Sequence, residues 1–383
     1  MTNNSLNANL HLANKTKKDE FYTQLADIER ELKHYKEQFR GKIVYCNCDD
    51  PFESNFFKYF AVNFNHLGLK RLITTSYKPS PIANTQLGLF SDNKTVGAPK
   101  GRPKITANKF VINEVHDIDH DGAFDLHDIA EQLKINKNNE WTPLVADGDF
   151  RSVECIELLK QADIVVTNPP FSLFREYIAQ LVKYEKNYLI IGNTNALTYK
   201  EIFRLIKDNK LHTGYTNFNV GMFFVVPDDW EHFHHIDKDG RKIARVSTSC
   251  WFTNMEVEKH KQEITLYKKY NPEEYPKYDN YNAINVDKYT DIPYDYDGHI
   301  GVPITFIDKY NPEQFEIIGQ GQGNLYREMT PKGLSGKFVE DYYRTGGTGS
   351  IKEDHPVLGY YNKDGKAVIP YMRVIIKNRK IKK

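Results

Sequence analysis

Asp163-Ile-Val-Val-Thr-Asn168-Pro169-Pro170-Phe171 is the stretch that decides the fold, because an apolar strand runs straight into a turn fixed by two prolines. Proline locks its backbone and lacks an N–H group, so we expect carbonyl oxygens to point out of the strand end beside the side-chain oxygen of Asn168. A planar amino group placed there would donate one hydrogen to Asn168 and the other to the Pro169 carbonyl. These bonds would draw the nitrogen lone pair out of conjugation, and Phe171 is placed to stack on the attached ring. An ordinary strand-terminating turn would use the same letters, and that alternative stays open.

Helical and strand patterns alternate on both sides of this stretch. The predicted strands are 42–46, 71–75, 109–115, 163–167, 188–192, 220–226 and 244–252, and the predicted helices are 21–39, 53–67, 125–135, 152–160, 172–184 and 198–208. Such alternation predicts an α/β fold, with a mostly parallel sheet and helices on both faces. In that architecture ligands bind at the carboxyl ends of the strands.

Length and composition narrow the class of protein. The 383 residues correspond to about two domains, or to one large domain with insertions. The 52 basic and 51 acidic residues leave a net charge of +1, so net charge alone indicates no polyanionic partner. No apolar run approaches the roughly 20 residues of a membrane span, and the polar N-terminus has no signal-peptide core. Four scattered cysteines do not make a disulfide framework, so we expect a reduced, cytoplasmic protein with no membrane association.

The composition and periodicity of the chain change near residue 255. Residues 1–18 form a polar arm that we expect to be disordered, whereas 256–300 are rich in Tyr, Asn, Asp, Pro and Lys with little periodicity. We therefore place a domain boundary near 255. The sequence KYNPE occurs at Lys269–Glu273 and Lys309–Glu313, where Asn suits a helix N-cap and Pro the first helical turn. The tail predicts a hairpin of Val357–Tyr361 and Ala367–Ile376 around Lys363-Asp364-Gly365.

Asn-Pro-Pro-Phe is the catalytic motif of amino-methyltransferases that use S-adenosylmethionine, and the surrounding sequence resembles the EcoRI-type adenine-specific DNA methyltransferase family. The further segments that carry the resemblance are Glu20-Phe-Tyr-Thr-Gln24, Val44-Tyr-Cys-Asn-Cys-Asp-Asp-Pro51, Asp147-Gly-Asp-Phe-Arg151 with Ser152, and Tyr296-Asp-Gly298 leading into Gly301-Val-Pro-Ile-Thr-Phe306. The resemblance covers residues 19–376, nearly the whole chain. The motif alone does not separate adenine from cytosine, guanine or glutamine amino groups, whereas the joint pattern is far more specific.

The resemblance implies a Rossmann-like methyltransferase sheet with helices on both faces over 19–255, with a basic insertion at 78–110, and a C-terminal target-recognition region over 256–383. The implied reaction transfers a methyl group from S-adenosylmethionine to the exocyclic 6-amino group of an adenine flipped out of a specific duplex sequence. The implied partners are double-stranded DNA and a cognate restriction endonuclease, although a solitary enzyme would look the same. The family also implies a monomer, and the chemistry requires no metal.

The same resemblance assigns residues. The implied catalytic residues are Asn168, Pro169, Pro170 and Phe171. The implied cofactor-binding residues are Tyr22 and Thr23 at the methionine end, Cys46, Asn47, Cys48, Asp49 and Asp50 in the turn after the first strand, and Asp147, Gly148, Asp149 and Phe150 near the cofactor adenine.

The sequence departs from general methyltransferase patterns at two of these places. The turn after the first strand lacks the usual Gly-x-Gly, and the second strand ends in Thr75-Ser76-Tyr77, where an acidic residue normally binds the ribose. Asp49 or Asp50 would have to take that role.

Simpler interpretations of the assigned residues remain open. Cys46 and Cys48 also suit packing in a tight turn, Tyr22 suits a helix surface, and Asp147-Gly148 forms a good turn in any protein.

Lys100, Arg102 and Lys104 lie in a basic segment without acids, 94–109, whose Gly-Arg-Pro core resembles an AT-hook that binds the minor groove of DNA. The alternative is a solvated basic loop. The basic tail Arg373–Lys383 likewise suits phosphate contact or a solubilising terminus.

Residues 117–128 fit an EF-hand loop, with Asp at positions 1, 3, 5 and 9 and Gly at position 6. Position 12 is Asp instead of Glu. The alternative is a strand-to-helix turn capped by aspartates, which accounts for the same residues. His232, His234 and His235 lack regular metal spacing and are interpreted as surface residues.

Two rival functions follow from the same residues. An RNA or protein amino-methyltransferase would use the same pocket around Asn168. A DNA-binding protein with a degenerate methyltransferase domain is favoured by the missing Gly-x-Gly and disfavoured by the intact Asn168 and Phe171.

Overall fold

The computed structural model describes residues 22–48, 54–77, 107–118, 138–228, 230–329 and 332–381. The predicted arm 1–18, the helix 125–135, most of the insertion 78–110 and most of the EF-hand-like segment 117–128 lie outside these ranges. The helices are α1 Leu25–Leu32, α2 Lys36–Phe39, α3 Asn55–Val62, α4 Phe64–Leu67, α5 Val153–Gln161, α6 Phe174–Lys183, α7 Lys200–Lys207, α8 Gly323–Met329 and α9 Gly336–Arg344. Short 3-10 turns occur at Phe171–Leu173, Thr194–Thr198, Glu258–Lys261, Tyr289–Asp291 and Ile304–Lys309.

The strands complete the mixed α/β architecture, which confirms the predicted class. They are β1 Tyr22–Thr23, β2 Ile43–Cys46, β3 Arg71–Thr75, β4 Asn108–Ile112, β5 Glu140–Pro143, β6 Ile164–Thr167, β7 Asn187–Asn193, β8 His212–Thr213, β9 Met222–Val225, β10 His235–Ile236, β11 Lys242–Val246, β12 Ser249–Thr253, β13 Ala283–Asn285, β14 His299–Pro303, β15 Phe315–Gln320, β16 Tyr360–Tyr361, β17 Ala367–Val368 and β18 Arg373–Asn378.

The largest sheet has the order β5-β4-β3-β2-β6-β7-β12-β8. Its four central strands are parallel, β3 and β6 both pairing with β2 and β7 with β6. β4, β5 and β12 pair antiparallel with their neighbours, so the prediction of a mostly parallel sheet is wrong for both edges. Apolar residues dominate β2, β6 and the middle of β7, and Val44, Tyr45, Val165 and Ile190 are fully buried. Burial on both faces is typical of parallel strands covered by helices.

The predicted helix at 21–39 is wrong at its start. Tyr22 and Thr23 form β1, which pairs with Val225 and Phe224 of β9. The helical pattern is confirmed further on, because Ile28 and Leu32 of α1 are fully buried. Pairing with a strand about 200 residues away in sequence overrides the local periodicity at Tyr22, so its interpretation as a helix-surface residue is also wrong.

A second correction concerns the strand predicted at 244–252. The segment forms two strands in different sheets, since β11 pairs with β9 and β12 pairs with β7. Ser247 and Thr248 form the turn between them, and so short a polar interruption is a weak turn signal. β5, an edge strand with exposed residues throughout, has no apolar alternation and was not predicted.

The described residues form two compact units. The first unit contains the described residues up to Ala196 together with Thr213–Glu256, and the second contains Leu197–His212 and the residues from Val257 onward. The second unit has a four-stranded sheet in the order β13-β14-β18-β15. Helix α7 belongs to this unit and packs against β15.

Two predictions in the second unit are wrong in extent. The KYNPE segments cap single turns instead of helices: the Asn271 and Asn311 side-chain oxygens accept hydrogen bonds from Glu273 N and Glu313 N at 3.1 and 2.8 Å. The C-terminal hairpin contains only β16 and β17. The segment predicted to extend its second strand is β18, which pairs with β14 and β15 instead.

Candidate active site

The loops that follow β2 and β6 lie side by side. The two strands are parallel neighbours, so Asn47 and Asn168, the residues directly after them, are at the same edge of the sheet. The chain continues from β2 to β3 on one side of β2 and later returns to β6 on its other side. Such a reversal of strand order opens a crevice at the carboxyl ends of the strands, the usual ligand site of open α/β sheets.

Buried hydrogen bonds hold the loop after β2. The Tyr177 hydroxyl donates to the side-chain oxygen of Asn47, and the Thr167 hydroxyl donates to the Asn47 carbonyl. All three residues are buried, and burial raises the pKa of Tyr177 well above its ordinary value, so its hydroxyl stays protonated and can donate. Tyr177 was missed by the sequence reasoning. Its signal is a tyrosine within the apolar stripe of α6, because a buried tyrosine hydroxyl needs a polar partner.

Cys48 takes a conformation that usually requires glycine. Its φ is +71°, in the left-handed region that non-glycine residues rarely adopt. The missing Gly-x-Gly therefore does not prevent a tight turn after β2, because Cys48 makes the turn itself. Cys46 is buried, which agrees with its interpretation as a packing residue, whereas Cys48 is half-buried.

The segment 147–150 lies at the same edge, next to the end of β3. Gly148 has φ +81°, and a Cβ built on it would overlap the carbonyl oxygen of Ser76. The Phe150 ring is buried 5.0 Å from the Tyr177 ring, edge to face, and the Gln180 amide donates to the Phe150 carbonyl at 2.9 Å. This segment is therefore connected to Asn47 through Tyr177.

Asp149 in this segment is bound by a neighbouring arginine. Arg151 donates to both Asp149 carboxylate oxygens, at 2.9 and 2.6 Å. These side-chain bonds, with the Arg151 charge, lower the pKa of Asp149. Arg151 also reaches Glu176 of α6 at 3.3 Å.

The Asn-Pro-Pro-Phe turn has a side-chain oxygen at Asn168 and a backbone carbonyl oxygen at Pro169, in adjacent residues. Asn168 is 7% exposed, and Pro169 is buried beside it. The Pro170 carbonyl accepts from Leu173 N at 3.0 Å and so closes the 3-10 turn Phe171–Leu173. Among the described residues, no backbone N–H donates to the Pro169 carbonyl. Phe171 is half-buried.

Tyr22 and Thr23 are connected to the first turn of α3. The Asn55 side-chain amide donates to the Thr23 carbonyl at 2.7 Å, and α3 follows the loop that leaves β2. The Thr23 hydroxyl and the Gln24 side-chain nitrogen are buried atoms for which the described part of the chain provides no hydrogen-bond partner. Buried polar groups normally have one, so these two groups fit a polar ligand. Gln24 was not predicted as a site residue.

The end of β3 is already hydrogen-bonded. The Thr75 hydroxyl lies 2.9 Å from the Tyr45 hydroxyl, and the Ser76 hydroxyl accepts from Asn108 N at 2.8 Å. Asp49 and Asp50, the predicted ribose contacts, lie outside the described residues, and so do the predicted DNA contacts Lys100, Arg102 and Lys104.

Over the described ranges, no group of three or more His, Cys, Asp or Glu side chains could hold a metal ion. His232, His234 and His235 are exposed. No helix among the residues that the structure describes is long and apolar enough to cross a membrane.

Comparison with known proteins gives a consistent result. Residues 9–379 match the family described as "Adenine-specific methyltransferase EcoRI". The chain is 42% identical over 388 aligned positions to Type II methyltransferase M.EcoRI of Escherichia coli, with 100% of both chains covered. It is 36% identical over 313 positions to Type II methyltransferase M.MpnI of Mycoplasma pneumoniae, with 80% of this chain and 83% of the relative covered. No solved structure matches.

Proposed function

Because the chain belongs to the EcoRI family of adenine-specific methyltransferases and is an adenine-specific DNA methyltransferase, we propose that methyl transfer takes place where the loops after β2 and β6 meet. The observation that supports this most directly is the pair of oxygens at Asn168 and Pro169. They lie at the edge of the sheet where the strand order reverses, which is where open α/β sheets bind ligands.

Asn168 and Pro169 hold the target amino group in this proposal. The 6-amino group of adenine donates one hydrogen to the Asn168 side-chain oxygen and the other to the Pro169 carbonyl. The Pro170 carbonyl is committed to Leu173, which leaves Pro169 as the second acceptor. With both hydrogens bound, the nitrogen lone pair is directed out of the ring plane and becomes nucleophilic. Phe171 stacks on the base, which has to be flipped out of the duplex to arrive there.

The neighbouring loops fit the cofactor. S-adenosylmethionine supplies, when bound, a methyl group already activated on a positively charged sulfur. Thr23 and Gln24 offer buried polar groups to its methionine end, and Asn47 with Cys48 brings backbone close to it. The remaining residues proposed to hold it are Tyr22, Cys46, Asp49, Asp50, Asp147, Gly148, Asp149 and Phe150. A Rossmann-like arrangement of the central strands is part of this proposal.

The rival functions are not favoured. The family match covers nearly the whole chain and is specific to adenine, which disfavours a protein substrate, and the similarity to Type II methyltransferases disfavours RNA. The degenerate alternative depended on the missing Gly-x-Gly, and the left-handed Cys48 shows that the turn forms without it.

The proposal also assigns roles outside the catalytic loops. Residues 256–383 read the DNA sequence, and Lys100, Arg102 and Lys104 add DNA contacts. A cognate restriction endonuclease cleaves the unmodified site, and the methyltransferase acts as a monomer on one strand at a time. The similarity to Type II methyltransferases supports these roles.

The test is incorporation of labelled methyl from S-adenosylmethionine into unmethylated duplex DNA, with RNA in parallel, followed by nucleoside analysis. We expect 6-methyladenine in DNA alone. Asn168→Ala should lower the turnover roughly 10²- to 10³-fold, as expected when a preorganised hydrogen-bonding group is removed, while cofactor and DNA binding persist. The matched control is Asn187→Ala, which truncates an exposed asparagine at the start of β7 and should leave turnover unchanged. Near-normal turnover of Asn168→Ala would refute the proposed mechanism.

A further inference from the structure

The second unit contains a polar cleft of about 450 Å³ that the catalytic loops do not explain. Its lining residues are Lys277, Tyr278, Asp279, Asn280, Tyr281, Asn282, Met329 and Lys332. We call it the 277–282 cleft. Most of it is one tight turn before β13, and the rest comes from Met329 at the end of α8 and from Lys332.

Hydrogen bonds from buried side chains fix this turn. The Asn280 side chain is buried, donates to the Val357 carbonyl at 2.8 Å and accepts from Gly359 N at 3.2 Å. The Tyr278 hydroxyl donates to the Asn285 side chain at 2.8 Å. Both groups are therefore committed to structure and cannot leave to bind a ligand without breaking these bonds.

The opposite wall is fixed as well. The Tyr326 hydroxyl of α8 donates to the Lys332 carbonyl at 2.8 Å. On the turn itself, the Tyr281 hydroxyl lies 2.8 Å from His299 Nδ1 on β14, and the two rings are stacked. Because neither wall needs to be ordered on binding, a ligand would meet a preformed surface, which reduces the entropic cost of association.

The exposed side chains supply the charged and hydrogen-bonding groups of the cleft. Lys277 and Lys332 are exposed at the cleft and carry positive charge, whereas Asp279 and Asn282 are exposed on the turn between them. Lysine suits phosphate contacts, which position a protein on DNA without reading its sequence. Asparagine can bind an adenine edge through two hydrogen bonds, and aspartate can accept one from cytosine N4.

We propose that the 277–282 cleft is a DNA-reading surface, in which Lys277 and Lys332 contact phosphates and Asn282, with Asp279, contacts base edges. This inference rests on the proposed function, since it presupposes a duplex DNA substrate. Two lysines beside a fixed turn of amide and carboxylate groups match the composition of a duplex, with anionic phosphates outside and hydrogen-bonding bases inside.

The first experiment measures the salt dependence of duplex binding by full-length protein. Removing one lysine–phosphate pair reduces the slope of log affinity against log salt by about 0.9, so Lys277→Gln with Lys332→Gln should reduce it by about 1.8. The control is Lys70→Gln with Lys183→Gln, which removes two exposed charges of the first unit, outside the region proposed to read DNA, and should leave the slope unchanged. Lys277→Arg with Lys332→Arg should restore the wild-type slope.

The second experiment addresses base reading. The methylated site is first mapped by sequencing DNA modified by the wild type. Asn282→Ala should then reduce the discrimination between that site and its single-base variants at one position, by roughly 5- to 150-fold. Asn280→Ala should broaden specificity as well, because it releases the turn, although it does not contact DNA.

The outcomes separate this inference from the proposed function. If the wild type methylates DNA but the Lys277/Lys332 variant has the slope of the control and Asn282→Ala keeps full discrimination, the cleft proposal alone is refuted. If the wild type methylates no DNA, the proposed function fails and the cleft proposal with it. If the Lys277/Lys332 variant loses binding to RNA or to an acidic protein but binds duplex DNA as the wild type does, the proposal of a DNA-reading surface is also refuted.

Discussion

The loops after β2 and β6 meet at one edge of the same sheet, yet they are fixed by different means. The loop after β6 is fixed by its own covalent structure, because Pro169 and Pro170 restrict the backbone wherever they occur. The loop after β2 is fixed by Thr167 and Tyr177, which lie 120 and 130 residues further along the chain. One half of the site is therefore determined locally and the other by the folded sheet, so substitutions distant in sequence should affect mainly the second half.

The largest effect should come from Gly148, the point at which segment 147–150 crosses the end of β3. In Gly148→Ala the new methyl group would overlap the Ser76 carbonyl, and the backbone would have to move. Forced overpacking and a left-handed alanine together should cost about 3 kcal/mol of unfolding free energy or more, with loss of cofactor binding. Urea unfolding and calorimetric titration with S-adenosylmethionine measure the two effects.

Gly240 provides the matched control, because its φ is +80° but nothing lies within 4 Å of an added Cβ. Gly240→Ala should cost only about 1 kcal/mol, the left-handed penalty, and leave cofactor binding intact. Equal losses in the two variants would show that the contact with Ser76 has no importance.

Tyr177→Phe should have the next largest effect. It removes the hydroxyl that donates to Asn47 and leaves a buried oxygen without its donor, at about 1–3 kcal/mol. We expect a higher KM for S-adenosylmethionine with a smaller change in kcat, since Asn168 and its loop are untouched. Tyr59→Phe removes the same atom from a buried residue of α3 and should leave KM unchanged. A drop in kcat alone would contradict the assignment of Tyr177 to the cofactor loop.

The same contrast explains how much could be predicted from the sequence. β3 and β6 were predicted within a residue, because their apolar runs and flanking turns are local signals. β1, the break between β11 and β12, and the contact of Gly148 with Ser76 depend on residues far away in sequence, and no local pattern reports them. For the candidate site, the sequence alone identifies the Asn-Pro-Pro-Phe motif. The role of Tyr177 and the left-handed conformation of Cys48 are identified only from the folded structure.

Cys48→Gly should give a small gain in stability. A non-glycine residue pays for left-handed backbone, so glycine should relieve strain, partly offset by its greater freedom in the unfolded chain. We expect Cys48→Gly to be about 0.5–1 kcal/mol more stable than Cys48→Ala, which removes the thiol but keeps the strain. Thermal unfolding of the two variants measures the difference. A less stable glycine variant would mean that the left-handed turn is not strained.

The smallest effect should come from Arg151, which joins Asp149 to α6. Because Arg151 lowers the pKa of Asp149 in the folded protein, the ion pair stabilises the fold above the ordinary aspartate value of 3.8 and loses that contribution as the pH falls through the lowered value. Arg151→Gln should cost less than about 1 kcal/mol at pH 7, since half-exposed pairs are screened by solvent, and should match the wild type in strong acid.

The control is Arg241→Gln, on the hairpin of β10 and β11. A backbone hydrogen bond and the side chain of Arg241 lower the pKa of Asp237, in the same direction as Arg151 lowers that of Asp149. Both variants should therefore share the pH dependence of unfolding, but only Arg151→Gln should weaken cofactor binding. Equal cofactor affinity in the two variants would mean that Asp149 and Arg151 do not contribute to the part of the site that long-range contacts fix.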